Sequence, residues 1–375
     1  MNQFCNPVYT VQGAGCLNRL PEVLDSMKLE NGRVLALAWS KKVLENDVFL
    51  KLQQSKKPLD IRTVVFEASN PTVEQLFRAY QETKEFFPEA VIAIGGGSIM
   101  DVGKSLCCLY GKDVSDVDNL RELIQNKGFG QLDTRWIGIP TTAGTGSEVT
   151  CWATIWDPSM NAKRSIENHD NYAYAALVDP LLAEGAPLKL AVSSALDAVA
   201  HAVESYWAKA TNVVSRALAL QAVRIIMNNM EDLMLDKSEA HDAMAQGSML
   251  AGLAFSNTKT TACHSISYPL TMRYNIPHGA AVSMLLAPVL QMNISGVEGM
   301  PELLNALGVT DANALKERIS DLLRRSGLPN TLQGWGVKHE ELSELAELGI
   351  TKGRADNNPV AITAEKVKII LNSIY

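Results

Sequence analysis

The chain has 375 residues, of which 47% are hydrophobic and 20% charged, a balance that excludes a disordered or fibrous protein. Its length predicts two domains. Because 34 Lys and Arg face 41 Asp and Glu, the net charge is −7, and no run of basic residues provides a surface for nucleic acid or anionic lipid. We therefore expect neither nucleic acid nor a membrane as a partner.

Cysteine usage and the first residues predict a cytoplasmic protein. The six cysteines are spread along the chain without a C-x-x-C pair, which is typical of free thiols in a reducing compartment. Residues Met1 to Gly15 contain neither a basic start nor an apolar block, so we expect no secretory or transit signal. The longest apolar stretch, Ala280 to Met292, is too short to span a bilayer.

The first half of the chain alternates short Val- and Ile-rich runs with amphipathic segments, which predicts parallel strands connected by helices. The candidate strands are Val34–Trp39, Thr63–Ala68, Ala90–Gly95, Trp136–Pro140 and Ala176–Asp179. Thr72 and Gln75 form a capping-box pair that opens one connecting helix. After Pro180 the strand signal stops and long helical patterns follow. We predict an α/β domain with a Rossmann-like parallel sheet over 1–181 and an all-α domain over 182–375.

Three consecutive glycines, Gly95 to Gly97, end the candidate strand that begins at Ala90 and precede Ser98 and a predicted helix. This arrangement is typical of anion binding, because the backbone N–H groups of the turn and of the helix N-terminus can approach a phosphate. The spacing differs from G-x-G-x-x-G, and tight strand-to-helix turns also use glycine without a ligand. Taken alone, the motif is compatible with both interpretations.

A second loop, Pro140 to Glu148, also follows a candidate strand and places three threonines and a serine among two glycines. Hydroxyls and exposed backbone amides suit a diphosphate and a ribose. A helix-capping turn would explain Ser147, but it would not explain so many hydroxyls in one loop. Together, the two loops favour a dinucleotide.

Four residues predict a metal site. Asp197 and His201 are four residues apart in a helical stretch, so both side chains lie on one face. An isolated pair at this spacing is more often a hydrogen-bonded Asp–His pair than a metal site. His264 and His278, however, lie among apolar or small residues, where an unpaired imidazole is costly to bury. A carboxylate and three imidazoles suit divalent Fe, Zn, Mn, Co or Ni, and the residues do not select one of these metals.

These motifs, in this order along nearly the whole chain, resemble the iron-dependent (group III) alcohol dehydrogenase family. They are Gly95-Gly-Gly-Ser-Ile-Met-Asp-Val-Gly-Lys104, Pro140-Thr-Thr-Ala-Gly-Thr-Gly-Ser-Glu148, Asp197-x3-His201-x2-Glu204, His264 and Pro277-His278-Gly279. The resemblance implies the fold of that family, which dehydroquinate synthase shares. It also implies NADH or NADPH as a cofactor and a catalytic divalent metal, Fe²⁺ first, with Zn²⁺ or Mn²⁺ as alternatives. A homodimer is the expected assembly.

The resemblance also assigns residues to roles. The implied metal ligands are Asp197, His201, His264 and His278. The implied dinucleotide-binding residues are Gly95, Gly96, Gly97, Ser98, Asp101, Thr141, Thr142, Thr145, Ser147, Lys163 and Ser40. Two lysines follow Ser40, where members that prefer NAD usually carry an acidic residue, so both NADH and NADPH stay open.

Two departures from the family pattern concern catalysis and substrate. Many members carry a second histidine four residues after the third ligand, whereas this chain has Tyr268, whose phenol can also donate or relay a proton. Lys259, five residues before His264, stands where fuel-alcohol members tend to have a small residue. A cation there would bind an anionic group of the substrate. This combination is similar to the branch that reduces sulfoacetaldehyde or phosphonoacetaldehyde.

We therefore expect a metal-dependent NAD(P)H oxidoreductase that reduces a short, anionic aldehyde, sulfoacetaldehyde or phosphonoacetaldehyde, to its primary alcohol. The alternative substrate is an uncharged short-chain aldehyde, alcohol or diol, such as lactaldehyde or butanal. Glycerol dehydrogenase and dehydroquinate synthase share the fold but space their ligand motifs differently. A non-catalytic nucleotide-binding protein would have no need for a complete ligand set.

Overall fold

The computed structural model describes residues 3–52, 59–160 and 162–375. The chain divides into two compact units. The first, called the sheet unit below, comprises Asn6–Thr142 and Ser147–Ala183, and the second, called the helical unit, comprises residues 3–5, Ala143–Gly146 and Glu184–Tyr375. The short segment Ala143–Gly146, which the sequence analysis counted with the first domain, therefore belongs to the helical unit.

The described part of the sheet unit contains a six-stranded sheet in which all neighbouring strands are parallel. The strands in chain order are β1 (Tyr9–Gln12), β2 (Arg33–Ala38), β3 (Asp60–Val65), β4 (Ala90–Gly95), β5 (Arg135–Pro140), β6 (Trp152–Asp157), β7 (Ala162–Glu167) and β8 (Ala175–Val178). The sheet has the order β1-β8-β5-β4-β2-β3, and β6 and β7 form a separate antiparallel pair. All residues of β4 are buried, as expected for a central strand covered on both faces.

The order of the sheet reverses between two neighbouring strands, β2 and β4. From β2 the chain continues to β3 on one side, and from β4 it continues to β5 on the other. The register pairs Ala38 with Ile94 and Gly95 with Pro140, so the carboxyl ends of β2, β4 and β5 lie at the same edge. In open α/β sheets, ligands bind outside the carboxyl ends of the strands at such a reversal. This edge is therefore the expected ligand site of the sheet unit.

Helices connect the strands of the sheet unit and make up most of the helical unit. In the sheet unit they are α1 (Leu20–Ser26), α2 (Lys41–Leu44), α3 (Asp47–Leu52), α4 (Val73–Thr83), α5 (Gly97–Leu109) and α6 (Val117–Asn126). In the helical unit they are α7 (Leu188–Trp207), α8 (Val213–Met234), α9 (Ser238–Thr258), α10 (Ala262–Tyr274), α11 (His278–Asn293), α12 (Met300–Leu307), α13 (Ala312–Arg325), α14 (Leu342–Leu348) and α15 (Ala364–Ser373). The predicted combination of a parallel sheet and a helical second part is confirmed.

The capping box predicted for Thr72 and Gln75 is present at the start of α4. The strand limits agree less well, because β3 begins at Asp60, three residues before the predicted start. This edge strand has no buried residue, and its apolar residues cluster towards and beyond its end, so the apolar pattern places the strand too late in the sequence. Strands β1, β6 and β7 lie outside the predicted strands. β1 has four residues and none is buried, unlike the four buried residues of β8, and β7 carries mostly polar residues.

Helix α7 forms the centre of the helical unit. All residues from Ala195 to Trp207 are buried, and α8, α9 and α11 pack against this helix. A helix that is buried on every side is normally apolar, so each polar residue on it needs a partner or a function. Asp197, His201 and Glu204 are such residues, and all three are buried.

One helical stretch of the described residues, His278–Gly296, is long and apolar enough to cross a membrane by length and composition. It exceeds the apolar run that the sequence analysis considered. Since 67% of its apolar window is buried inside the protein, it has the character of a core helix, and core helices of soluble proteins pass the same test. The stretch is therefore weak evidence for a membrane span.

A buried carboxylate holds the β6–β7 hairpin to the rest of the sheet unit. Asp157, at the end of β6, is fully buried and accepts hydrogen bonds from Arg164 Nε at 2.6 Å and from Arg121 Nη2 at 2.9 Å. Arg121 lies on α6, so the carboxylate connects hairpin and helix. Burial opposes the charge of Asp157, but these two arginines lower its pKa to about 2.

Replacing this carboxylate by an amide, Asp157→Asn, is expected to lower the free energy of unfolding by about 3 kcal/mol at pH 7, because two arginines lose their shared anion. Urea denaturation followed by circular dichroism measures the effect. The carboxyl pKa is lowered on folding, so its contribution exists above the unfolded pKa of about 3.9. The difference in free energy of unfolding between the wild type and Asp157→Asn should therefore shrink as the pH falls from about 4 towards the folded pKa of about 2. Equal urea midpoints at pH 7 would contradict the assignment.

Candidate metal centre and dinucleotide loops

The structure brings the four predicted metal ligands together in the helical unit. Asp197 and His201 lie one turn apart on α7, His264 lies in the first turn of α10, and His278 is the first residue of α11. Ligand atoms of Asp197, His201 and His264 all lie within 4.8 Å of one another. His278 Nε2 is 4.0 Å from Asp197 Oδ1. Three helices thus direct one carboxylate and three imidazoles to the same place.

The donor atoms of this cluster fit a cation. In the described residues, the buried atoms Asp197 Oδ1 and His264 Nε2 have no hydrogen-bond partner. They are 3.6 Å apart, beyond normal hydrogen-bond distance. Burying polar atoms without a partner is unfavourable, and a cation between these two would satisfy both. Carboxylate and imidazole are ligands that suit a divalent transition metal.

Glu204 supports the cluster from behind. It is fully buried on α7, and its Oε2 accepts a hydrogen bond from His264 Nδ1. Its Oε1 accepts hydrogen bonds from the backbone N–H of Thr261 at 3.1 Å and of Cys263 at 2.7 Å. With one proton held on Nδ1, Nε2 of His264 faces Asp197 and becomes a ligand atom once its own proton leaves. A carboxylate behind a histidine in this way is typical of metal sites.

In the sequence Glu204 stands out only as part of the Asp197-x3-His201-x2-Glu204 motif, which indicates no role for it. Its position three residues after His201 places it on the same face of α7, which is a signal that sequence contains. Its partners, by contrast, lie about 60 residues later in the chain and no local pattern indicates them.

His201 is held by a backbone carbonyl and by two rings. Its Nδ1 lies 3.3 Å from the carbonyl oxygen of Gly144, which leaves Nε2 available as a ligand atom. Its ring stacks on Phe255, with 4.3 Å between centroids, and on His264, with 4.4 Å. Burial lowers the pKa of His201 to about 4, so this imidazole is neutral at pH 7, the form that binds metals.

The buried carboxylates Asp197 and Glu204 need positive charge beside them to stay ionised. Burial opposes the ionisation of Asp197, yet the neighbouring His201 and His278 hold its pKa well below the usual range. Burial likewise opposes the charge of Glu204, and His264 lowers its pKa. At His264, burial favours the neutral ring, but Glu204 raises the pKa of His264 to about 9. A bound cation would take the place of this second ring proton.

The middle of the second predicted loop packs directly on the helices of the helical unit. A Cβ atom on Gly144 would lie 2.8 Å from the carbonyl oxygen of Ser194 on α7. Gly146 has a φ of +55°, and a Cβ atom there would lie 2.4 Å from Gly252 Cα on α9. Both positions therefore need glycine. Thr145, a predicted dinucleotide contact, lies between them.

In the sheet unit, the first glycine loop and the start of the second lie side by side. A Cβ atom on Gly95 would lie 2.4 Å from Ile99 Cγ1, and one on Gly96 would lie 3.3 Å from Thr142 Oγ1. The N–H of Thr141 donates to the carbonyl oxygen of Gly95 at 3.0 Å. No side chain caps the start of α5, so its N–H groups can bind an anion. The arrangement suits a diphosphate.

The other predicted dinucleotide contacts of this edge have local partners. Gly97 is the first residue of α5, and Ser98 Oγ accepts a hydrogen bond from the N–H of Asn70 at 3.1 Å. Ser40 caps α2, since its Oγ accepts a hydrogen bond from the N–H of Lys42 at 3.2 Å. Ser40 follows β2, so it lies at the same edge of the sheet as the glycine loop.

Asp101 and Ser147, both predicted to bind the dinucleotide, belong to a buried network around Lys104. Lys104 Nζ is fully buried and donates to Ser147 Oγ at 2.7 Å and to Thr150 Oγ1 at 2.9 Å. Ser147 Oγ in turn donates to Asp101 Oδ1 at 2.9 Å. Burial lowers the pKa of Lys104 to about 8 and raises that of Asp101. The network fixes the end of the second loop on α5.

Lys163, the remaining predicted dinucleotide contact, lies on β7, opposite Trp156.

Tyr268 lies beside the metal cluster, whereas Lys259 lies in the connection that leads to it. The Tyr268 ring is one turn after His264 on α10 and is nearly parallel to the His278 ring, with 6.2 Å between centroids. Lys259 is half-buried and follows the last residue of α9, in the segment that leads to His264. Arg273, a second cation on α10, is paired with Glu344 at 2.6 Å.

Comparison with known proteins gives matches along most of the chain. A family model described as iron-containing alcohol dehydrogenase matches residues 7–180, and one described as Fe-containing alcohol dehydrogenase family, C-terminal, matches residues 191–375. Among curated proteins, 1,3-propanediol dehydrogenase of Klebsiella pneumoniae is 30% identical over 301 residues, which is 76% of each chain. NADPH-dependent butanol dehydrogenase of Clostridium saccharobutylicum is 26% identical over 333 residues, 84% of each chain.

The fold is also similar to solved structures. The crystal structure of sulfoacetaldehyde reductase from Bifidobacterium kashiwanohense in complex with NAD⁺ matches with a TM-score of 0.87 and 26% identity. The match covers 100% of this chain and 98% of that one.

Glu204→Gln tests the role of the carboxylate behind His264. The amide cannot supply the negative charge that keeps the Nδ1 proton in place, so the affinity for Fe²⁺ or Zn²⁺ should fall by about 10- to 100-fold. A titration against a competing chelator measures this change. Glu239→Gln, at an exposed position in the first turn of α9, is the matched control and should bind metal like the wild type. An unchanged affinity in Glu204→Gln would remove the carboxylate from the site.

Proposed function

This chain belongs to the iron-containing alcohol dehydrogenase family, and on that premise we propose that it reduces a short, anionic aldehyde to a primary alcohol with NADH or NADPH. Sulfoacetaldehyde and phosphonoacetaldehyde are the proposed substrates. The family and the alcohol dehydrogenase class are established by the comparisons, while the substrate, the metal and the preferred dinucleotide are parts of the proposal. A cytoplasmic homodimer is also part of it.

The observation that carries the proposal is the metal cluster of the helical unit. Asp197 Oδ1 and His264 Nε2 are buried without a partner among the described residues. A protein with only a scaffolding function would gain stability by closing this gap with apolar side chains. The cluster is therefore best explained by a bound divalent cation with a catalytic purpose.

The dinucleotide part of the proposal is supported by the sheet unit. There the first glycine loop and the start of the second loop meet at the carboxyl ends of β4 and β5, beside the point where the strand order reverses. The sulfoacetaldehyde reductase of similar fold was solved with NAD⁺, whereas the butanol dehydrogenase relative is named as NADPH-dependent. Lys41 and Lys42 follow Ser40 and would tolerate a 2′-phosphate, so both dinucleotides belong in the test.

The chain's own residues have distinct tasks in this reaction. When bound, the cation supplies a Lewis acid for the aldehyde carbonyl and the reduced dinucleotide supplies the hydride. The proposed ligands are Asp197, His201, His264 and His278. Glu204 keeps the proton of His264 on Nδ1 so that Nε2 can coordinate. Tyr268, beside His278, is the proposed donor of the proton that completes the alcohol.

The anionic substrate is proposed from Lys259. This lysine lies between Phe255, which stacks on His201, and His264, so the chain on both sides of it contacts the cluster. An ammonium group close to the metal would bind a sulfonate or phosphonate. The similarity to a sulfoacetaldehyde reductase supports this choice. The butanol and 1,3-propanediol dehydrogenase relatives favour the second candidate, an uncharged short aldehyde or diol.

His264→Ala should abolish both metal retention and turnover, because the variant loses a ligand and leaves Glu204 Oε2 buried without its histidine partner. Metal content by mass spectrometry and NAD(P)H oxidation with a panel of aldehydes measure the two effects. His339→Ala is the control, because it removes an exposed histidine that is not a proposed ligand. This variant should retain both metal and turnover. A His264→Ala protein that keeps metal and activity would refute the ligand assignment.

Lys259→Ala should raise the KM for sulfoacetaldehyde or phosphonoacetaldehyde by about tenfold or more, since a charged hydrogen bond is lost. The KM for propanal should change far less, because propanal has no anionic group. Lys352→Ala, at an exposed position, is the control. Steady-state kinetics with both dinucleotides measure the effect, and equal changes for charged and uncharged aldehydes would exclude an anion site at Lys259.

A further inference from the structure

The backbone at Lys259 has a conformation that side chains rarely adopt. Seven non-glycine residues of the described chain have a positive φ, and Lys259 combines a φ of 60° with a ψ of 178°. That combination lies in a region essentially reserved for glycine. Lys127, which also follows a helix, differs because its φ of 51° and ψ of 37° are ordinary left-handed values. A lysine at position 259 therefore lowers the stability of the fold relative to glycine.

Hydrogen bonds hold this strained turn on every side. The N–H of Lys259 donates to the carbonyl oxygen of Phe255 at 2.8 Å, and its carbonyl oxygen accepts from Thr258 Oγ1 at 2.9 Å. The flanking carbonyls of Thr258 and Thr260 accept from the same side-chain amide, Asn357 Nδ2, at 2.8 and 3.2 Å. Asn357 thus clamps the turn from outside.

The clamp itself is fixed to the segment that follows α7. The N–H of Ala210 donates to Asn357 Oδ1 at 3.2 Å, and the N–H of Lys209 donates to its carbonyl oxygen at 2.9 Å. On the other side of the turn, Thr261 donates to Glu204, the carboxylate behind His264. The position of the Lys259 backbone is therefore tied to the helix that carries two of the metal ligands.

We propose that Asn357 is a positioning residue that holds Lys259 in its strained conformation, and that this turn sets the preference for an anionic aldehyde. The inference rests on the proposed function, since it needs a substrate with a negative charge. Strain persists where it serves a function and the surroundings enforce it. A fixed backbone also reduces the entropy that Lys259 loses when it binds an anion. If the side chain of Lys259 had no such role, glycine could take its place with no loss of function.

Two substitutions separate the backbone strain from the charge. Lys259→Ala removes the ammonium group and keeps the strain, whereas Lys259→Gly removes both. In both variants the preference for sulfoacetaldehyde over propanal, measured as the ratio of the two kcat/KM values, should fall about tenfold. The Tm of Lys259→Gly should exceed that of Lys259→Ala by about 3 °C or more. Lys127→Gly is the matched control, which should leave the preference at the wild-type value.

Asn357→Ala tests the clamp. The KM for sulfoacetaldehyde should rise about fivefold or more, while kcat for propanal and the metal content stay close to the wild type. Asn372→Ala, on the exposed side of α15, is the control. If Asn357 acts through Lys259, the double variant Lys259→Gly/Asn357→Ala should show the same preference as Lys259→Gly alone. Should Asn357→Ala fail to fold, Asn357→Asp keeps the volume and removes the donor.

The outcomes distinguish the inference from the function on which it rests. A wild-type protein that reduces no aldehyde, or that shows no preference for charged ones, overturns the proposed function and the inference together. A preference that Lys259→Ala abolishes and Asn357→Ala or Asn357→Asp leaves intact overturns the inference alone. A Lys259→Gly protein with a lower Tm than Lys259→Ala also contradicts it, because no strain would have been released.

Discussion

The chemistry of the helical unit depends on two buried atoms, Asp197 Oδ1 and His264 Nε2, that have no partner among the described residues. Their separation of 3.6 Å is too long for a hydrogen bond, and both atoms are directed at the same place. From Ala195 to Trp207 helix α7 is buried on every side, so it can carry Asp197 only if something neutralises the charge. A divalent cation, with His201 and His278 beside it, meets that requirement.

The surrounding structure keeps these atoms in position. Glu204 fixes the ring of His264 and at the same time binds the backbone that leads into α10. The same connection contains the strained Lys259, which the amide of Asn357 holds from outside. Ligand, carboxylate, turn and clamp therefore form one continuous network. The structural effect of a substitution at any of these positions therefore reaches the metal ligands or the proposed substrate-binding lysine.

Sequence alone predicts the parts of this account that depend on local pattern. The parallel sheet, the capping box of α4 and the one-face spacing of Asp197 and His201 follow from periodicity. The contributions of Glu204 and Asn357 do not, because their partners lie about 60 and 97 residues away along the chain. The conformation of Lys259 is equally invisible, since contacts in the folded protein impose it against the local preference. Short or polar strands such as β1 and β7 were missed for lack of pattern.

A crystal structure of the Fe²⁺-loaded protein, with anomalous scattering recorded at the iron edge, tests the metal site directly. One strong peak is expected at about 2 Å from Asp197, His201, His264 and His278, as for coordination by carboxylate and imidazole. A peak held by other residues, or no peak in a fully loaded protein, would rule out these four residues as the ligands.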